Sequence, residues 1–372
     1  MSESIALGDL GSLAIALETY AAGAIVPATT PSRLLWGESW VFSFDEPLQT
    51  FENVQTNGTL ENAPISDVKT NARATLSRSG VLDLAEVPMC LMSAFGAVAD
   101  DPPSDTTNTH LFLWQPPRNG GLRPATWGVW GIDRDTTDPQ KVGVYSIDKL
   151  YCTEFGFSVE GQATVQMTAS YSGANPQRLA EGISGLDAVT IAAEQFLITS
   201  NNATLVSGSS RSTLLGTAPT MEVKDVNSIS VTCNTGNVEV NERNGRKDFS
   251  YTRVRNGKRM MTLSMTVKVN LEAGSLYQRL IAAKKDPKHR LHMGLLMRGD
   301  EIETVDRSGV EQTYHEELLV GATFVHTPGS MAEVGTVGDA GERTVSVELR
   351  SIDNADGGMF ARLQTKQADY PA

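Results

Sequence analysis

Cysteine and aromatic side chains are scarce in this chain of 372 residues. Its three cysteines, Cys90, Cys152 and Cys233, lie far apart and form no Cys-x-x-Cys pair. This excludes a disulfide-stapled scaffold and predicts small buried thiols in a protein that folds under reducing conditions. Aromatic residues make up 6% of the chain against 33 glycines, a balance that favours short strands and many turns.

Basic charge is also in deficit. The chain has 31 Lys and Arg against 44 Asp and Glu, for a formal net charge of -13. A protein that coats duplex DNA needs a net basic face to neutralise phosphates, so that class is excluded. A surface that DNA slides past without sticking is compatible with this charge.

No apolar run reaches the roughly 18 residues of a membrane helix. The most apolar stretch, residues 12–28, is interrupted by Glu18, and the MSES start before it carries no Lys or Arg. A signal peptide needs a basic start, so this stretch is interpreted as an unprocessed arm.

Motifs for catalysis and cofactor binding are missing as well. The sequence has no GxSxG, no GxGxxG and no P-loop. His289 and His292 lack third and fourth ligands at zinc spacing, and residues 133–138 lack the Gly and Glu of a calcium loop. We therefore expect no enzymatic activity, no metal and no cofactor.

What the sequence has is an internal repeat of structural patterns. The first half predicts strand, strand, helix and strand, in that order, at 39–51, 71–83, 84–98 and 110–115. The second half predicts the same kinds of element at 227–240, 259–270, 272–286 and 289–299. Both halves then close with strand pairs, at 150–161 with 162–173 and at 317–329 with 343–352. Met261, Leu263, Met265, Val267 and Val269 alternate along one strand face.

These patterns predict a mainly β protein with two tandem β-sandwich domains, each with a flanking helix, because no strand–helix alternation points to a parallel sheet. The predicted division is an N-terminal arm, a first domain, a linker with a possible strand, a second domain and a C-terminal tail, at 1–34, 35–175, 176–218, 219–358 and 359–372.

The two halves differ in charge and in tryptophan content. Residues 1–218 carry a net charge of -12 and residues 219–372 a net charge of -1. All five tryptophans lie in the first half. They are the only support for a carbohydrate-binding or hydrolytic β-sandwich, and core packing is the favoured interpretation of them.

A basic loop in the second half is the most specific local feature. Its Asn-Gly dipeptides at 244–245 and 256–257 predict a hairpin. The corresponding loop of the first half, 52–67, carries acidic residues and no basic ones. The candidate contact residues are Arg243, Arg246, Lys247, Arg253, Arg255, Lys258, Arg259, Glu52, Glu61 and Asp67. Gripping nucleic acid, protecting a solvated edge and docking an acidic neighbour all remain open, and charge complementarity between stacked copies favours docking.

In these patterns the chain resembles the major tail tube proteins of long, non-contractile-tailed (siphovirus-type) bacteriophages, in a duplicated form. The resemblance covers most of residues 10–355. It is carried by an opening GSLAIALETYAAGAIVPATTPSRLL, by KLYCTEFGFSVEGQATVQMTASYSG, and by the stretch from SISVTCNTGNVEV to LYQRLIAA.

The resemblance implies a structural virion protein whose neighbouring domains join strands into a continuous inner β-barrel. Two domains per chain imply three chains per pseudo-sixfold ring, and rings that stack into a hollow tube conducting the DNA genome. Implied partners are further copies, a tape-measure protein, a tail terminator and a distal tail protein. DNA would pass through the lumen without specific binding. The implied location is the virion tail, assembled in the host cytoplasm without a membrane. A tail terminator or a capsid decoration protein remains the alternative among virion components.

Overall fold

The computed structural model shows a mainly β protein with a large antiparallel sheet. It describes residues 3–6, 10–22, 24–36, 40–45, 48–51, 66–69, 73–96, 99–100, 107–113, 124–133, 143–161, 163–178, 198–215, 225–240, 253–255, 257–286, 288–307, 310–330, 343–352 and 358–366.

The strands before the middle of the chain are β1 Glu3–Ala6, β2 Leu10–Leu17, β3 Thr19–Ala21, β4 Ala24–Val26, β5 Arg33–Trp36, β6 Trp40–Asp45, β7 Leu48–Phe51, β8 Ser66–Lys69, β9 Arg73–Val81, β10 Ala99–Asp100, β11 Asn108–Leu113, β12 Trp127–Asp133, β13 Gly143–Glu160 and β14 Gln166–Arg178. The later strands are β15 Ala203–Gly208, β16 Val226–Asn234, β17 Val238–Val240, β18 Arg253–Arg255, β19 Met260–Lys268, β20 Leu291–Arg307, β21 Val310–His326, β22 Thr344–Ser351 and β23 Phe360–Thr365. The helices are α1 Val87–Phe95, α2 Arg211–Leu215 and α3 Leu276–Lys285.

The two long helices fall inside the ranges that the sequence predicts. Pro88 stands at the start of α1, where a missing N–H costs nothing, and every residue of this helix is buried. The α3 helix begins at the N-cap Ser275, whose side chain accepts a hydrogen bond from the Gln278 backbone N–H. Lys284 and Lys285 lie in its last turn, where the helix dipole favours positive charge.

Strand pairing follows the same order in both halves of the chain. In the first half β6 pairs with β9, β9 with β14, β14 with β13, β13 with β12 and β12 with β2. In the second half β16 pairs with β19, β19 with β22, β22 with β21, β21 with β20 and β20 with β15. We call β2, β6, β9, β12, β13 and β14 the first unit, and β15, β16, β19, β20, β21 and β22 the second unit.

One strand pair joins the two units into a single sheet. The C-terminal part of β13 leaves β12 and pairs with β16, from Glu154↔Asn234 to Glu160↔Ser228. The order β6-β9-β14-β13-β16-β19-β22-β21 is therefore unbroken by the boundary between the units. One hydrophobic cluster likewise contains buried residues from both, such as Leu76 and Phe155 with Leu263 and Leu349.

Strands also form within segments predicted as arm, linker and tail. In the predicted arm, β2 pairs with β12 and β5, and buries Leu13 and Ile15 in the core. In the predicted linker, β15 pairs with β20. In the predicted tail, β23 pairs with β21 and with β11 of the opposite half. These strands belong to the sheet because their apolar side chains are needed to close its core. The domain boundaries themselves stay a prediction.

The cysteines confirm the expectation of buried thiols, since Cys90, Cys152 and Cys233 are free and buried. Burial raises the pKa of Cys233 to about 12. Within the described ranges, no helix has the length and apolar character needed to span a membrane. The same ranges hold no group of three or more His, Cys, Asp or Glu placed to hold a metal ion.

Candidate functional surface

The run of strands β6-β9-β14-β13-β16-β19-β22-β21, which we call the joined sheet, has one face in the core. Its other face is covered by small hydroxyl side chains. Strand alternation causes the division: β9 and β19 bury every second residue, and the residues between point the other way. We call the second side the hydroxyl face. It comprises Thr75, Ser77, Ser79, Ser158, Thr168, Ser170, Ser172, Ser228, Ser230, Thr232, Thr262, Ser264, Thr266, Thr344 and Ser346, all exposed or half-buried.

Register aligns these hydroxyl side chains into rows that cross from one unit into the other. In one row Ser158 pairs with Ser230, which pairs with Ser264. In another, Thr232 pairs with Thr262. Ser228 donates a hydrogen bond to Thr266 at 3.0 Å. Because neighbouring strands lie about 4.8 Å apart, such rows form a continuous polar surface across the unit boundary.

Charge on the hydroxyl face is sparse and balanced. Among the described residues, the ionisable side chains that share this side of β9, β13, β19 and β22 are Arg73, Lys268, Arg350, Glu154, Glu160 and Glu348. Their formal charges cancel. This part of the surface therefore neither clamps a polyanion with a basic stripe nor carries the acidic excess of the whole chain.

Aromatic side chains do not line this surface where it forms a groove. The groove is bordered by Ser158, Ser230, Ser264, Gly329 and Glu348, among others, and none of its lining residues is aromatic. Trp40, Trp127 and Trp130 are buried instead, which confirms the core interpretation for these three; no side-chain burial is described for Trp36, and Trp114 lies outside the described residues. Glycan sites usually present an exposed aromatic platform, so this groove does not fit one.

The predicted basic loop leaves the sheet on a short two-stranded ribbon. In this ribbon β17 pairs with β18, and it connects β16 to β19. The ribbon of β7 and β8 connects β6 to β9 in the same way. The two loops that the sequence analysis compared therefore stand on equivalent ribbons in the two units.

The candidate contact residues fall into three groups. Arg253 and Arg255, on β18, and Lys258 are exposed, as expected for a docking loop. Arg259 differs because it is 5% exposed, at the point where the chain enters β19 beside the core. The backbone of Asp67 pairs with Thr50 in the first-unit ribbon. Arg243, Arg246, Lys247, Glu52 and Glu61 lie outside the described residues.

The second-unit ribbon is anchored on the first half of the chain, which the sequence alone does not predict. The Asn237 side-chain amide donates to the Ser93 carbonyl at 2.9 Å, and the Thr235 hydroxyl donates to the Cys152 carbonyl at 2.8 Å. Val254 packs with Ile25, Tyr151 and Ala174 of the first half. No local sequence signal marks these contacts, because their partners lie far away along the chain.

A carboxylate completes this anchor. Glu239 of β17 forms an ion pair with Arg73 at 3.0 Å and accepts a hydrogen bond from the Tyr151 hydroxyl at 3.2 Å. Burial, reinforced by the Glu239 charge, raises the pKa of Tyr151 to about 12, which keeps this hydroxyl protonated as a donor. These contacts hold the second-unit ribbon against β9, β13 and α1 of the first half.

Comparison with known proteins does not assign this surface. No protein-family model matches the chain, and no curated protein matches it.

Proposed function

We propose that the chain is a structural subunit of a phage tail tube. In this proposal its two units are tandem tail-tube-like β-sandwiches, and three chains close into a pseudo-sixfold ring. The supporting observation is one continuous sheet, in which the strands of the first unit are followed by those of the second unit in the same order. The pairing of β13 with β16 connects them. The resemblance to tail tube proteins supports the same conclusion.

The way in which the second unit follows the first in the sheet suggests how chains assemble. Each unit contributes an ordered set of four strands to the joined sheet, and the second set continues where the first ends. If the pairing of β13 with β16 is repeated between chains, the end of one chain joins the start of the next. This is a head-to-tail interface. Such an interface generates a ring when its rotation closes. Closure also removes open sheet edges, which are otherwise sites of aggregation.

The hydroxyl face suits the inner wall of such a ring. Ser and Thr side chains offer hydrogen bonds to water without holding a phosphate as a Lys or Arg does. The balanced charge of the described part of this face favours passage of DNA without retention. In this proposal the genome passes along a wall that binds neither a DNA sequence nor the DNA backbone tightly.

The two equivalent ribbons suit contacts between stacked rings. The second-unit ribbon exposes Arg253 and Arg255 and leads to a loop rich in Arg and Lys, whereas the first-unit loop is acidic. Opposite charges on equivalent loops would set the register of one ring on the next. A tape-measure protein, a tail terminator and a distal tail protein are the further partners of a tube in the virion.

Electron microscopy of the purified chain, with its mass in solution, tests this proposal. We expect hollow tubes or rings at high concentration, and a ring mass of three chains of 40.0 kDa, about 120 kDa. Dilution of the same sample provides the control, because head-to-tail assembly is concentration-dependent. A discrete particle at every concentration, both for the full chain and for a chain without residues 2–8, would contradict the tube. It would favour a decoration or terminator protein.

A further inference from the structure

We propose that strand β1 is a removable cover over the sheet edge by which one copy of the chain joins the next. This inference rests on the proposed ring. It adds that the free chain occupies its own joining edge, and that β1 must leave before a second copy can pair there.

The two units show the equivalent edge in two different states. In the second unit, β16 pairs with β19 on one side and with β13 of the first unit on the other. In the first unit, β6 pairs with β9 on one side and with β1 on the other. β1 therefore takes the place that a strand of the preceding unit takes at β16, and both pairings are antiparallel.

The strand that would replace β1 is identified by the same comparison. The counterpart of β13 in the second unit is β21, and its continuation still follows β22: the Thr327 N–H donates to the Glu348 carbonyl at 3.2 Å, and the Ser330 hydroxyl donates to the same oxygen at 2.8 Å. Among the described residues, no strand pairs with the outer side of Val325 and His326, where β21 ends, and the chain then turns at Pro328 and Gly329. The end of β21 in a second copy is therefore the partner that we infer for the β6 edge.

The cover is shorter than the junction it imitates. β1 pairs four residues, from Glu3↔Phe44 to Ala6↔Val41, whereas β13 and β16 pair over Glu154–Glu160. Fewer ladder hydrogen bonds hold a shorter strand, and each contributes only modestly to stability. A segment of another copy that pairs with β6 over as many residues as β13 pairs with β16 would therefore displace β1 once the copies are concentrated enough; for the end of β21 this requires the turn at Pro328 and Gly329 to open. Until then the β6 edge is protected from unspecific pairing.

A reversible crosslink between β1 and β6 tests the cover. Ser4 and Ser43 are paired residues, and antiparallel pairs have Cα atoms about 4.5–5.5 Å apart, which a disulfide can bridge. The native cysteines are buried and do not compete. We expect the oxidised S4C/S43C chain to stay monomeric at concentrations where the reduced chain assembles. The single variant S4C controls for the substitution and should assemble under both conditions.

Deletion of residues 2–8 tests the cover from the opposite side. Removing the competitor should lower the concentration needed for assembly by roughly tenfold, which corresponds to about 1.4 kcal/mol. Deletion of residues 2–30 is the matched contrast, because it also removes β2 with the buried Leu13 and Ile15 and should cost folding.

The outcomes separate the cover from the ring. Assembly of the oxidised S4C/S43C chain at the same concentration as the reduced chain would overturn the cover and leave the tube intact. A deletion of residues 2–8 that assembles no more readily than the full chain would overturn it as well. If no variant and no full-length sample assembles, the proposed tube fails, and the cover fails with it.

Discussion

The first and second units pair their strands in the same order but fill their interiors with different chemistry. In the first unit, Arg78 on β9 is buried and forms an ion pair with Glu86, which also accepts a hydrogen bond from the Trp40 indole at 3.0 Å. The counterpart strand β19 buries Met261, Leu263, Met265 and Val267. Helix α1 is wholly buried, whereas α3 buries only Leu276, Leu280 and Ala283.

This difference shows which features the shared strand order needs and which features can vary between the units. Alternation of buried and exposed residues is common to β9 and β19, and it sets which face turns inward. A buried ion pair in one unit and thioether side chains in the other are two ways to fill the same layer. The shared pairing order therefore depends on the alternation and on volume rather than on particular interior contacts.

The largest expected effect comes from a substitution that breaks the ion pair of the first unit. Arg78→Met leaves the Glu86 carboxylate buried without its partner, and losing one member of a buried pair costs about 3–5 kcal/mol of unfolding free energy. Met265→Leu on β19 is the matched change in the second unit, and should cost less than about 1.5 kcal/mol. Urea unfolding measures both. Because the core cluster spans both units, each variant should shift one common transition.

Equal losses in the two variants would contradict this comparison. So would two separate transitions, since they would show that the units fold independently despite their shared cluster. The double variant Arg78→Met with Glu86→Leu should recover part of the loss of the single variant, because it removes the uncompensated charge.

A large pH dependence should come from the first unit. Glu18 follows β2 directly and is 8% exposed, and burial raises its pKa to about 7. A folded-state pKa above the unfolded value means that stability is full at low pH and falls as pH rises through about 7. Relative to Glu18→Gln, the native chain should lose about 3 kcal/mol between pH 4 and pH 8.

Thermal or urea unfolding of both proteins across this pH range measures the difference. Ser209 follows β15 at the equivalent place in the second unit and is exposed, so Ser209→Ala should leave the pH profile unchanged. A native chain and a Glu18→Gln variant with parallel profiles would show that Glu18 stays ionised in the folded state.

The smallest expected effect is at Gly161, and it is compared with a second glycine turn at Gly236. Gly161 in the first unit and Gly236 before the second-unit ribbon both have positive φ, of 54° and 62°. A Cβ on Gly161 meets nothing within 4 Å, whereas one on Gly236 would lie 2.0 Å from the Lys258 carbonyl oxygen. Gly161→Ala should cost about 1 kcal/mol for the left-handed backbone, and Gly236→Ala about 1–3 kcal/mol more for the overlap.

Urea unfolding of the two variants measures both costs. Equal costs would mean that the base of the ribbon moves to accommodate a methyl group.

Periodicity predicted the elements that are regular over many residues. Strands β9 and β19 and helices α1 and α3 lie within the predicted ranges, because alternation and helical spacing are local properties of the sequence. The repeat of elements predicted from the sequence is seen in the structure as a repeat of pairings.

Long-range pairing could not be predicted in the same way. Short strands such as β15 and β23 lie in stretches rich in small residues or at the end of the chain, where alternation is too brief to detect. Nothing in Glu154–Glu160 specifies β16 as its partner rather than any other open edge. The burial of Arg78 follows from its nearness to Glu86, which only the folded chain provides.

The covalent continuity between the two units has a consequence for dilution. The contact between β13 and β16 is intramolecular, so its partners meet at an effective concentration on the order of millimolar or more, whatever the amount of protein present. A contact at β6 between copies has no such tether and obeys mass action. On dilution, the proposed ring should therefore come apart only into whole two-unit pieces, so every partial assembly holds an even number of units.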